Sequence, residues 1–197
     1  MRKNRYHLDV SNSGKPTIVE RDGQRWPLGT VGTVSWIDRN TPGGLEITSA
    51  IPPCFEEYAT IADMKDFTSR DSLRVSQDRV VRVLREYGAS EWWLGYLDNG
   101  HDDIVFTRAR KVGLYAGGWK YVLVKAGPDQ ALRWRETLPD LMFPTDRTWC
   151  LSTLWDDSWT CLGGPRALIN QRSVDPHIEL RRVELGKDAT PPGHVAI

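Results

Sequence analysis

The sequence predicts an α+β fold, a largely antiparallel β-sheet built of hairpins with three or four helices packed on it. Three observations predict it. Apolar residues alternate with a period of two in several short runs, each bounded by Gly, Pro, Asn or Asp. One segment, residues 76–87, instead spaces its apolar residues at three and four and is followed by Gly88. The chain of 197 residues is 40% hydrophobic and 26% charged, the balance of a globular domain able to build a core.

The elements follow in order. Residues 1–50 read as an N-terminal β-hairpin region of the same domain as the α+β core, residues 51–185. Tyr6–Val10 and Thr17–Glu20 flank the turn-rich stretch 11–16, and Val31–Ile37 and Leu45–Ala50 flank the Gly/Pro/Asn loop 38–44. Pro52-Pro53 stops a strand, and Pro in a first turn favours a short helix over about 53–62, with Phe55, Tyr58, Ala59 and Ala62 on one face. Residues 63–75 are polar and read as a mobile loop. Ser76 then caps the clearest helix, whose stripe is Val80, Val81, Val83, Leu84 and Tyr87.

Beyond Gly88, Glu91–Leu97 is a strand, Asn99-Gly100 marks its turn and Asp103–Thr107 its return. Val112–Tyr115 and Trp119–Lys125 flank Gly117-Gly118 as a second hairpin. Pro128–Glu136 is a short helix with Asp129 in its first turn, followed by a loop through Pro139 and Pro144. Arg147–Leu154 and Ser158–Leu162 form a last hairpin around Asp156-Asp157. Pro165 opens a helix to about Ser173, His177–Leu185 is a final strand, and residues 186–197 form a tail that frays around Pro191.

Charge excludes some functions. The 26 Lys and Arg balance 26 Asp and Glu, and each half is nearly neutral, with 13 basic and 14 acidic residues in 1–98 and 13 and 12 in 99–197. A general nucleic-acid binder needs a cationic excess. No apolar run approaches a membrane span, and no apolar signal core follows the basic first residues, so the expectation is a cytoplasmic protein without membrane or nucleic-acid partners. Cys54, Cys150 and Cys161 form no CxxC pair, which predicts buried reduced thiols, with no metal and no cofactor.

The nine tryptophans are the most unusual feature. Trp92 and Trp93 are adjacent on a strand, so they face opposite ways. Trp93, Trp155 and Trp159 are the candidates for a partner-binding patch or an aromatic pocket wall, because Trp carries much binding energy where it meets a partner. Asp157 and Arg147 supply charge to such a site, and Arg166 follows Gly163-Gly164-Pro165 at a helix start that could take an anion. Asp146-Arg147 would fix its loop by an ion pair or cap, with the guanidinium stacked on an indole. Were the chain an enzyme, His101, Asp102, Cys150 and Asp156 would be the catalytic candidates. No phosphate-binding loop, dinucleotide fingerprint, serine-hydrolase elbow or zinc-protease motif occurs, so nothing demands catalysis.

The run Phe143–Ile169 resembles the C-terminal signature of an uncharacterised actinobacterial protein family. Its Pro144, Asp146, Arg147 and Trp149 lead through an acidic turn to Gly163, Gly164, Leu168 and Ile169, then Asp175-Pro176. IPPCFEEYATI, SEWWLGYLDNG and GGWKYVLVKAGPDQA are similar to the same family, so the resemblance spans about 45–185. It implies membership and no particular chemistry. The layout also resembles, more loosely, small α+β immunity proteins of bacterial toxin systems. From these readings we expect a soluble, non-enzymatic binding protein that neutralises a protein partner. The alternative is a small enzyme or small-ligand-binding protein with a Trp-lined pocket.

Overall fold

A computed structural model describes residues 17–61, 70–100, 104–154, 157–170 and 180–194. Its centre is one eight-stranded sheet in which every neighbouring pair is antiparallel. Ten strands are named in chain order: β1 Ile18–Arg21, β2 Gln24–Pro27, β3 Glu57–Ile61, β4 Trp92–Leu97, β5 Lys111–Leu114, β6 Trp119–Ala126, β7 Leu141–Pro144, β8 Cys150–Ser152, β9 Thr160–Gly164 and β10 Leu180–Val183. The helices are α1 Val31–Asp38, α2 Arg70–Arg85, α3 Pro128–Arg133 and α4 Arg166–Ile169, with a 3-10 turn at Ile47–Ser49. The large sheet runs β10-β3-β9-β8-β7-β4-β6-β5, and β1 pairs only with β2. This is the α+β class that the sequence predicts.

Both faces of the sheet are covered, and strand alternation sorts the side chains between two cores. On the first face Trp92, Leu94, Tyr96, Val122, Val124, Met142 and Leu151 meet Val80, Val81 and Leu84 of α2. On the second face Leu97, Leu114, Tyr121, Leu123, Leu141, Phe143 and Cys150 meet Val34 and Ile37 of α1 and Ile47, Ala50 and Ile51. Trp92 and Trp93 fall on opposite faces accordingly, Trp92 fully buried in the first core and Trp93 half-buried against the second. The β1–β2 hairpin closes an edge of the first face. The Trp26 ring packs edge-on to Trp134 at 5.0 Å, and the Trp134 indole N–H donates to Asp22 at 2.9 Å. Leu28 then bridges to Val124 on β6.

Several elements agree with the sequence. The β5–β6 and β8–β9 hairpins form, and α3 starts at Pro128 with Asp129 in its first turn. Gly88 holds φ +84° after α2, the left-handed conformation that favours Gly at a helix end.

Other elements differ. Val31–Ile37 is helical, not a strand. Burial of Val34 and Ile37, one turn apart, outweighs the weak reluctance of β-branched residues, and the Thr33 hydroxyl accepts the Thr30 N–H at 3.1 Å. Leu45–Ala50 is not a strand but holds the 3-10 turn Ile47–Ser49, where the Ser49 N–H and hydroxyl both donate to the Glu46 carbonyl. The helix expected over 53–62 is instead β3. It lies between β10 and β9 with Tyr58–Ile61 all buried, and a strand covered on both faces loses the alternation that identifies it. Ile104–Thr107 is a turn rather than a return strand, because β6 and β7 already occupy both sides of β4. The loop expected through Pro139 and Pro144 contains β7, with Pro144 at the strand end.

α2 begins at Arg70, so Ser76 is a buried residue of the helix and residues 70–75 are not loop. Of the expected 63–75 loop, residues 63–69 lie outside the described residues, as does the strand expected at Tyr6–Val10. α4 ends at Ile169 with Asn170 as its cap. The tail does not fray at Pro191. The Ala189 N–H donates to the Leu45 carbonyl at 2.8 Å, Pro191 is buried, and His194 Nδ1 shares a 2.6 Å hydrogen bond with the Ser158 hydroxyl. Cys54 is exposed, contrary to the expectation that all three thiols are buried.

Candidate functional site

Two hairpins and the C-terminal segment build a cleft at one end of the second face. The β5–β6 turn contributes Tyr115, Ala116, Gly117 and Trp119; the β8–β9 connection contributes Leu154, Asp157 and Trp159; Gly43, Gly44, Leu45, Ser49, Cys161 and Ala189 complete the wall. Its volume is about 220 Å³. Pockets for drug-sized ligands hold roughly 300–1,000 Å³, so this one suits a single ring with a short chain.

Local chemistry fixes each aromatic wall. Tyr115 holds φ +64°, a left-handed conformation costly for a residue with a Cβ. It is held there by its hydroxyl, which makes a 2.7 Å hydrogen bond with Ser152 Oγ and a 3.3 Å one with the Ala50 carbonyl. Trp119 folds back over the turn because residue 117 is Gly. A Cβ there would lie 2.6 Å from the Trp119 indole nitrogen. Trp159 is 4% exposed and packs edge-on to His194 at 5.8 Å, so the C-terminal segment braces this wall from behind. Leu45, 56% exposed, forms an apolar rim.

Among the described residues of this wall, Asp157 is the one that is charged. Its backbone N–H donates to the Leu154 carbonyl, and its charge adds to burial in pushing the Cys161 thiol up. Arg181 also acts on that thiol, but its guanidinium is spent on the Ala189 carbonyl and Thr60 Oγ1. Lys120 alternates with Trp119 and so lies on the other face, against Gly113.

The residues singled out in the sequence are scattered relative to this cleft. Asp157 and Trp159 line it. Trp93 packs in the second core, not in the cleft wall. Arg147, at φ +59°, lays its guanidinium over the Trp36 ring at 5.2 Å, and Asp146 caps the loop by accepting from the Thr148 N–H and hydroxyl. The stacked guanidinium and the cap are thus both present, on the indole of Trp36. Arg166 donates its N–H to Glu56 at 2.8 Å and its Nε to Glu57 at 2.9 Å, so the chain's own carboxylates meet that helix start. Cys150 is fully buried in β8, and burial pushes its thiol far up, away from the thiolate that nucleophilic chemistry needs. His101, Asp102, Trp155 and Asp156 lie outside the described residues. Among the described residues no three metal-ligating side chains gather, and no helix is long and apolar enough to cross a membrane.

Trp119 and Tyr115 were not singled out in the sequence, although Gly117-Gly118 between two strands places both at a turn. Ser158 and His194 were missed as well, since 36 residues separate them and no local pattern joins them.

No protein-family model matches the chain. Neither a curated protein nor a solved structure matches it significantly either.

Proposed function

We propose that this protein binds a small organic ligand containing an aromatic ring, in the cleft between the β5–β6 and β8–β9 turns. One observation carries the reading: three aromatic side chains from two turns, Tyr115 and Trp119 from β5–β6 and Trp159 from β8–β9, wall a single concavity. Rigid rings bury a planar ligand at little entropic cost. The strained Tyr115 backbone, held by its hydroxyl donating to the Ala50 carbonyl and accepting from Ser152, supports a preformed wall. A reading as a protein-partner surface has less support, because Trp159 is buried and Trp93 packs in the second core.

Calorimetric titration with three one-ring probes tests it: 2-phenylethanol, 3-phenylpropionate and 2-phenylethylamine. At least one should bind at a single saturable site, and Trp119→Ala should abolish that binding while leaving the fold intact. If none binds, or if binding survives both Trp119→Ala and Leu154→Ala, the proposal fails.

A further inference from the structure

We infer that a second pocket, between α2, the β8–β9 hairpin and the segment before β7, binds a small molecule presenting a planar amide. The group meant is an NH2 beside a carbonyl, as in a primary carboxamide or urea. Leu138 and Leu151 of the first core line this pocket, so it lies on the sheet face opposite the cleft. The inference therefore stands or falls apart from the cleft proposal.

The observation that carries it is Gln77. It lies one helical turn before Val80 and Val81 and two before Leu84, all buried, so the helix turns it toward the sheet, where an apolar side chain is expected. Gln77 is only 4% exposed. A buried carboxamide costs free energy unless it is hydrogen-bonded, and among the described residues nothing hydrogen-bonds to this one. The Tyr96 and Tyr121 hydroxyls are unpartnered but sealed in the core. Neither Gln77 amide atom is sealed in that way, and the residue lines the pocket, so its amide opens there.

The other polar groups form a fixed frame. Arg135 and Asp140 satisfy each other as a fork, Nη1 to Oδ2 at 2.9 Å and Nη2 to Oδ1 at 3.2 Å, and Asp140 Oδ2 also accepts the Leu97 N–H at 2.9 Å. Thr153 and Thr160 share one hydrogen bond of 2.7 Å, and whichever hydroxyl accepts keeps its own proton to donate into the pocket. Thr160 is itself 4% exposed.

The pocket holds about 70 Å³. That is room for roughly five water-sized spheres, or for one group the size of acetamide. The Gln77 amide offers one acceptor oxygen and two N–H donors. Its match must donate and accept from adjacent atoms, which a second amide does. A carboxylate gives the Gln77 oxygen no donor and meets Asp140, whose Arg135 is already matched. An ammonium group gives the Gln77 N–H groups no acceptor. A ligand carbonyl can also take the spare threonine proton.

Amide spectra of labelled protein titrated with acetamide, acetone and acetate test this. The three probes share size and shape and differ in what they donate and accept. Acetamide should give saturable shifts at the Gln77 side-chain amide and at Thr160. Its affinity should exceed that of either analogue by about fivefold or more, the scale of one net hydrogen bond. Gln77→Met keeps the length of the side chain and removes the amide. It should abolish the preference for acetamide and leave the thermal midpoint unchanged or higher, because an unpartnered core amide is lost. A lowered midpoint would mean that Gln77 has a structural partner, and overturns the inference. Equal binding of the three probes, or no saturable shift at Gln77, overturns it too. Acetamide shifts at Gly117 and Trp119 in place of Gln77 would refute this site and leave the cleft proposal untouched.

Discussion

Trp92 and Trp149 meet edge to face with ring centroids 4.8 Å apart, and their indole N–H groups close the same helix end from both sides of one glycine. Trp149 donates to the Tyr87 carbonyl at 2.7 Å and Trp92 to the Ala89 carbonyl at 3.0 Å. Gly88 sits between those carbonyls. The residues that follow α2 are therefore tied to β4 and to the start of β8 by two buried indoles. Trp149→Phe keeps most of the ring volume but leaves the Tyr87 carbonyl without this donor. A loss of about 1–3 kcal/mol is expected, measured by urea denaturation. A change within error would mean that the bond contributes nothing.

Gly88 carries a second constraint. Its φ of +84° disfavours any Cβ, and a Cβ built there would lie 3.0 Å from Pro144 and from Asp146 Oδ1. Gly88→Ala should cost at least about 1–2 kcal/mol from conformation alone, and more once Pro144 must shift. Asp146 should also lose some of its hold on Thr148, visible as faster amide exchange at Thr148.

The hydroxyls of Tyr96 and Tyr121 are buried without a hydrogen-bond partner among the described residues. Each therefore carries a desolvation cost that no hydrogen bond from a described residue offsets. Tyr121→Phe and Tyr96→Phe should leave stability unchanged or raise it by up to about 1 kcal/mol, the opposite of the usual effect of a core substitution. Clear destabilisation in denaturant melts would show that the hydroxyls have partners.

Burial raises the Cys150, Cys161, Tyr115 and Tyr121 ionisations in the folded chain. Between the ordinary thiol and phenol ranges, about 8.5 to 10, and the raised folded values, the unfolded chain binds fewer protons than the native one. Stability must therefore fall as pH rises above about 8.5, with no such contribution from these groups below it. Cys150→Ala combined with Cys161→Ala should flatten the first part of the decline. Of the three thiols, Cys54 alone should react with Ellman's reagent in the native state. Equal reactivity of all three would contradict the burial.

Local signals made part of this fold legible. Gly117-Gly118, Pro128 and Gly88 each demand a particular backbone geometry from few neighbours, so the β5–β6 turn, α3 and the end of α2 were readable. Elements set by tertiary burial were not. VGTVSWI has the β-branched content of a strand, and only the packing of Val34 and Ile37 makes it helical. FEEYATI spaces its apolar residues like a helix, yet it is an inner strand with no solvent face to impose alternation. The Asp22-Gly23 dipeptide between β1 and β2 is itself a hairpin signal. The cleft was half legible. Asp157 and Trp159 drew notice as a turn acid and a surplus indole, whereas their meeting with Tyr115 and Trp119 depends on a β8–β9 pairing register and a sheet order that no local pattern states.

We propose the Tyr115, Trp119 and Trp159 wall as a ligand site. Amide and indole spectra of labelled protein titrated with 2-phenylethylamine test it most directly. Saturable shifts are expected at Gly117, Ala189 and the Trp119 indole N–H, absent in Trp119→Ala for the first two. No saturable shift for any of the three one-ring probes, or shifts confined to the opposite face of the sheet around α2, would contradict it.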